Sequence, residues 1–218
     1  MAFFRGLTGL GLVLPVAAVA GNMAVDTGQE IGIEGEPFEG VVLVQECLFE
    51  TDYPYCSFVF GGSILYANWE GPTPSYVLEA IGTLYQNAPL MMRADIVSMG
   101  DMSAEISIHS FELDPDLDEF SETRGFLQGQ WMLAGAPQYQ SYVSGASVTE
   151  YVSGQVQTEY MMELAPTCDG AAGEGPALIA WVNPWDEPPC LILDSVSPDE
   201  MRVRLVGGDG TQAVYLRP

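Results

Sequence analysis

Along much of this chain apolar residues return at every second position. Met102, Ala104, Ile106 and Ile108 alternate with Ser103, Glu105, Ser107 and His109. Met201, Val203 and Leu205 alternate with Arg202 and Arg204. Successive side chains of an extended strand point to opposite faces, so this period marks strands with one buried face. Further strand-like runs lie at 41–49, 56–60, 64–68, 90–98, 129–133, 155–164, 178–182, 191–196 and 213–217. Gly, Pro and Asp punctuate them. Gly207-Gly208-Asp209-Gly210 supplies a tight hairpin turn, because these residues tolerate positive φ. The expected fold class is all-β and antiparallel, built as barrels or sandwiches. His109 falls on the outward side of its strand and is expected at the surface. Segment 73–86 admits two readings. Thr73-Pro74 can cap a helix with Val77, Ile81 and Leu84 on one face. Tyr76, Val77, Ile81, Thr83 and Tyr85 also suit a strand, and Gly82 weakens a helix interior, so the strand is preferred.

Two small β units in tandem are expected. Residues 95–102, Asp-Ile-Val-Ser-Met-Gly-Asp-Met, line up with 194–201, Asp-Ser-Val-Ser-Pro-Asp-Glu-Met, as a repeated strand, turn and strand. The acidic stretch Asp114-Pro115-Asp116-Leu117-Asp118-Glu119 separates the halves. The divisions are a signal peptide at 1–20, a loose polar leader at 21–36, a first β domain at 37–120 and a second at 121–218. Four cysteines permit three pairings. Cys47–Cys56 and Cys168–Cys190 are expected, because each closes a short local loop around turn residues and each unit then holds one staple.

The signal peptide rests on Arg5, the apolar run at 6–20, and Ala18-Val19-Ala20 ahead of Gly21. That run is shorter than the about 20 residues of a membrane span. A periplasmic or secreted location follows, with no transmembrane segment after cleavage, and disulfides suit it. Charge is extreme: 30 acidic residues against 6 basic ones, a net −24. A polyanion repels nucleic acid and anionic lipid, which excludes both as partners. All the basic residues are arginine, so Schiff-base lysines, Walker A lysines and Ser–Lys dyads are excluded.

The second half carries a family resemblance. Gly129-Gln130-Trp131 at a first strand resembles the G-x-W opening of lipocalin-like barrels. Residues 197–205, followed by Ala213-Val214-Tyr215-Leu216-Arg217, are similar to the closing hairpin of small bacterial lipocalin-like domains. The resemblance covers residues 126–218. It implies a barrel with a small-molecule pocket or a purely structural role. It also implies an arginine near the last strand stacked on Trp131, for which Arg202, Arg204 and Arg217 are the candidates. The first half has Gly40-Val41-Val42 with no tryptophan and departs from the pattern.

Few residues offer chemistry. His109 is the only histidine, and no G-x-S-x-G elbow exists, so no catalytic constellation is visible. Alternate acids at Asp114, Asp116 and Asp118 are the candidate calcium ligands. The EF-hand template fails there, with Glu119 where Gly is needed and Gly125 where Glu is needed, and a solvated linker is the plainer reading. Trp131, Trp181, Trp185 and Tyr215 are the candidate ligand-binding residues, and Trp185, in the Pro-rich loop 183–189, is the ring most expected at the surface. No cofactor is expected. The function expected is an exported, non-catalytic β-barrel protein holding a small apolar or amphipathic ligand. Two alternatives stand beside it: a cell-envelope interaction, structural or inhibitor module using the 183–189 loop, and a carboxylate-based extracellular hydrolase.

Overall fold

A computed structural model of the chain describes residues 23–168, 175–183, 185–206 and 210–218. The expected signal peptide and residues 207–209 of the expected hairpin turn lie outside the described residues. The fold class is as the alternation implied: two antiparallel-rich closed barrels, each with a disulfide.

The first barrel is built from β2 (Glu36–Leu48), β3 (Tyr55–Phe60), β4 (Ser63–Asn68), β5 (Pro89–Met99) and β6 (Ser103–Leu113). Its order is β2-β3-β4-β6-β5, closed by the β2–β5 pairing, and β4 runs parallel to β6. This is the connectivity of an OB-type barrel, a topology that by itself assigns no activity. Helix α1 (Ser75–Ile81) joins β4 to β5. The strand expected over 73–86 is therefore corrected. Val77, Leu78 and Ile81 share one helical face and enter the barrel core with Val42, Phe58, Leu90, Met92, Ile106 and Ile108. Gly82, read as a weak point of a helix interior, instead ends the helix, and Phe49 packs where its Cβ would be.

A β-bulge re-aims His109. Arg93 pairs with Ser110 and Ala94 with Ile108, which leaves His109 as the extra residue of β6. The alternation inverts there, so Ile106 and Ile108 point inward before the bulge and Phe111 and Leu113 after it. The outer face at this point is covered by the N-terminal segment. Strand β1 (Ala24–Asp26) pairs with Ser110, Phe111 and Glu112 of β6, and the Thr27 amide donates to the His109 carbonyl at 2.9 Å. Residues 23–35 are thus a strap and not a loose leader. Beneath the strap His109 is 3 % exposed, which corrects its expected surface position.

The 3-10 turn Pro115–Leu117 and helix α2 (Ser121–Leu127) lead to the second barrel. Its strands are β7 (Gly129–Leu133), β8 (Tyr139–Ser144), β9 (Ser147–Val152), β10 (Gln155–Ala165), β11 (Ala177–Trp181), β12 (Cys190–Val196), β13 (Glu200–Leu205) and β14 (Gln212–Leu216). They run up and down in chain order and close through β14–β7. Five strands in a crossed order and eight in a meander are different folds, so the short likeness between 95–102 and 194–201 is one of hairpins and not of whole units.

The barrels touch through a buried joint. Val59, Ala146 and Met161 are buried together, with Ile64 and Trp181 against them. Gly62 admits this contact, because a Cβ there would run into the Trp181 indole. Gln45 of β2 reads the β8–β9 turn: its amide nitrogen donates to the Ser144 carbonyl at 2.9 Å, and its oxygen accepts from the Ala146 amide at 2.9 Å. Gln128 grips the same turn from the other side through the Gly145 amide and carbonyl.

Candidate functional site

The four aromatic residues singled out by the sequence are not brought together. Trp131 is wholly buried in the second barrel, and its indole nitrogen donates to the Leu127 carbonyl at 2.7 Å. Arg217 lies over the ring, 3.9 Å from its centroid, and is fixed by the Phe126 carbonyl at 2.8 Å and the Pro198 carbonyl at 2.9 Å. Of the three candidate arginines it is Arg217 that stacks; Arg202 and Arg204 pair with Glu200 and Asp194. Tyr215 joins the same core from β14. Trp181 belongs to the inter-barrel joint, where its indole donates to Glu163 at 2.9 Å. Trp185 alone projects into solvent, at 80 % exposure.

The interior of the second barrel is occupied by side chains. Leu127, Trp131, Val143, Val148, Met162, Leu164, Leu178, Leu193, Met201 and Val203 form one buried cluster, with Tyr160, Val196 and Tyr215 packed against it. Tyr160 donates to Glu150 at 3.2 Å. Burial, and then the Glu150 charge, push the Tyr160 hydroxyl well above the ordinary phenol range and also raise that of Tyr215.

Two of the three carboxylates proposed for calcium have partners within the chain. Asp114 accepts from the Asp116 amide at 3.1 Å and caps the 3-10 turn. Asp118 holds the buried guanidinium of Arg124, with Nε at 3.1 Å. Among the described residues no group of three or more His, Cys, Asp or Glu is placed to hold a metal ion.

Asp95 and His109 form a buried polar pair, and strand alternation had put His109 of this pair on the outer surface. His109 Nε2 sits 3.1 Å from Asp95 Oδ2 at an angle poor for a hydrogen bond, while Nδ1 is 3.3 Å from the Gln29 side-chain oxygen. The Gly32 and Glu34 amides of the strap donate to the two Asp95 oxygens at 2.5 and 2.8 Å. Burial alone would raise the Asp95 carboxyl. The Glu34 and Gly32 amides, then the His109 ring, outweigh burial and hold it below the ordinary value. Ser107 sits across from Asp95 with its hydroxyl buried and unbonded. Ser, His and Asp therefore share one sheet face, but Ser107 Oγ makes no bond to the ring, and the strap seals all three from water. The group fastens the strap; it has neither the contact nor the access that acyl transfer needs.

The loop at 183–189 is built differently. The Asn183 side-chain oxygen accepts from the Trp185 amide at 2.9 Å and the Asp186 amide at 3.0 Å, and its nitrogen donates to the Asp186 carboxylate at 2.7 Å. The Ala180 amide bonds the Pro189 carbonyl at 3.0 Å, and Cys190, next in the chain, is tied to Cys168. Pro188 and Pro189 fix their own φ angles. An exposed indole thus stands beside three hydrogen bonds from the Asn183 side chain. Pro184 lies outside the described residues. Under the loop is a hollow of about 240 Å³ lined by Ala180, Val182, Asn183, Asp186, Glu187, Pro188 and Pro189.

No protein-family model, curated protein or solved structure matches this chain.

Proposed function

We propose that this protein is an exported interaction module that docks a partner through the 183–189 loop, with Trp185 as its anchor. The observation that carries the reading is the 80 % exposed Trp185 on a loop braced by three Asn183 hydrogen bonds. Tryptophan buries a large apolar surface when it binds, which is why such residues dominate interfaces. The packed cluster inside the second barrel favours this role over storage of a ligand there. A periplasmic or secreted location agrees with two disulfides and with the Arg5-led apolar segment at the start of the chain. Among the described residues no helix is long and apolar enough to cross a membrane.

The test is capture from the extracytoplasmic fraction of the producing organism on immobilised protein, comparing the native chain with Trp185→Ala. A partner retained by the native chain and lost with the variant is expected. Equal capture by both would remove the loop from the function. Native mass spectrometry provides the second check: a small molecule retained by the freshly purified protein would restore the ligand-carrier reading.

A further inference from the structure

We infer that the cleft between the two barrels binds a small neutral amphiphile, an apolar body bearing a carbonyl oxygen as in an ester or amide, with that oxygen on Arg124 Nη1. The inference stands apart from the docking role of the 183–189 loop. The cleft measures about 290 Å³, near the lower end of small-molecule sites. The first barrel contributes Val41, Leu43 and Phe60, the connector contributes Phe120 and Arg124, and the second barrel contributes the end of β10. Two independent observations point to an occupant. Strand β2 is apolar on both faces here: Val42 and Val44 enter the barrel core, while Val41 and Leu43, which alternate with them, line the cleft. On β3, Val59 is covered at the joint, but Phe60 beside it stays 43 % exposed. A strand face left to water carries polar residues, so this strip has the composition of a covered face and lacks a full cover. The other observation is Arg124, only 5 % exposed. Its Nε lies 3.1 Å and its Nη2 3.5 Å from the Asp118 oxygens. Nη1 has no hydrogen-bond partner among the described residues, and it is not one of the polar atoms sealed inside the molecule. A guanidinium this deeply buried is completed by an oxygen acceptor at its last nitrogen.

The surroundings select the kind of oxygen. Asp118 already neutralises the guanidinium, and Glu119 and Glu163 line the same cleft, so an anionic head is repelled. An ammonium or guanidinium head has no lone pair to give Nη1. Water satisfies Nη1 but leaves the apolar strip uncovered. A neutral molecule with an apolar body and a carbonyl oxygen meets every condition at once. The site lies between the barrels, and the interior of the second stays filled by its own side chains.

The full chain is titrated with N-hexylacetamide, with hexanoate and hexylammonium as anionic and cationic comparators, at an ionic strength of about 0.15 M to screen distant charges. Heteronuclear NMR reads the backbone amides and the Arg124 side chain. Saturable shifts at 41–43, 60–61, 117–124 and 162–166 are expected with the amide, and binding about tenfold weaker with either ion. Arg124→Lys keeps the charge and removes Nη1, and should weaken the amide about tenfold. Phe60→Ala tests the apolar wall without touching the buried ion pair, and should weaken it about fivefold while the amide spectrum elsewhere stays native. No saturable shift, shifts confined to other surfaces, an ion bound as tightly as the amide, or unchanged binding by folded Arg124→Lys or Phe60→Ala would each overturn the cleft site. The docking role fails by a different result, equal partner capture by the native chain and Trp185→Ala, so the two can fall separately.

Discussion

Gly129 stands at φ +95°, and a Cβ there would lie 2.7 Å from Arg217 Nη1. The glycine that opens G-x-W is required on both counts, by its left-handed backbone and by the guanidinium stacked on Trp131. Gly129→Ala is expected to destabilise the protein by about 2–3 kcal/mol in urea unfolding. Arg217→Met keeps the stem and removes the charge. It should cost about 2 kcal/mol, because a half-buried cation–π contact and hydrogen bonds to carbonyls go with it. Asp95 provides the pH dependence. Its folded carboxyl sits below the ordinary 3.8, so the unfolded chain binds its proton first as acid is added. The stability it contributes is present above that value and is lost as pH falls through the folded pKa. Asp95→Asn should flatten the acid limb of a stability–pH curve; an unchanged limb would show that other carboxylates govern it.

At the level of elements, the strap, the bulge and the disulfides each convert local chemistry into position. The strap is held by β1, by the Thr27 amide and by two amide bonds to Asp95. His109→Ala empties the site beneath it, and limited proteolysis should then cut within 27–35 faster than in the native chain while the barrels stay intact. Cys168–Cys190 closes a separation of 22 residues and Cys47–Cys56 one of 9. Removing them pairwise is expected to cost about 3 and about 2.5 kcal/mol respectively. The first also frees the base of the 183–189 loop, so it should reduce partner capture beyond its effect on stability.

Over the whole molecule two barrels of unlike topology meet at a small joint. Gln45 satisfies a turn of the other barrel with both ends of its amide, and replacing it leaves the Ala146 amide buried and unbonded. Gln45→Leu is expected to split a single calorimetric transition into two. A net −24 spread over both barrels makes self-repulsion a property of the whole chain. Added sodium chloride should raise the thermal midpoint by screening it.

Period-two patterning and turn residues were sufficient for the strand class, for most strand positions and for both disulfide pairings, because these depend on contacts between residues near in sequence. β1, β8 and β9 were missed: the first takes its partner from β6, and the other two are rich in polar residues, with Val143 and Val148 their buried contributions to the barrel core. Helix α1 was misread because its apolar face is defined by the barrel end it fills. The exposed ring of Trp185 was legible from a Pro-rich loop, whereas the separate places of Trp131 in a barrel core and of half-buried Trp181 at the joint were not. The bulge at His109, the strap over Asp95, the joint at Gln45 and the cleft beside Arg124 arise from residues distant in the chain. Local preference determined which segments extend; only the closing of each barrel decided which faces meet water.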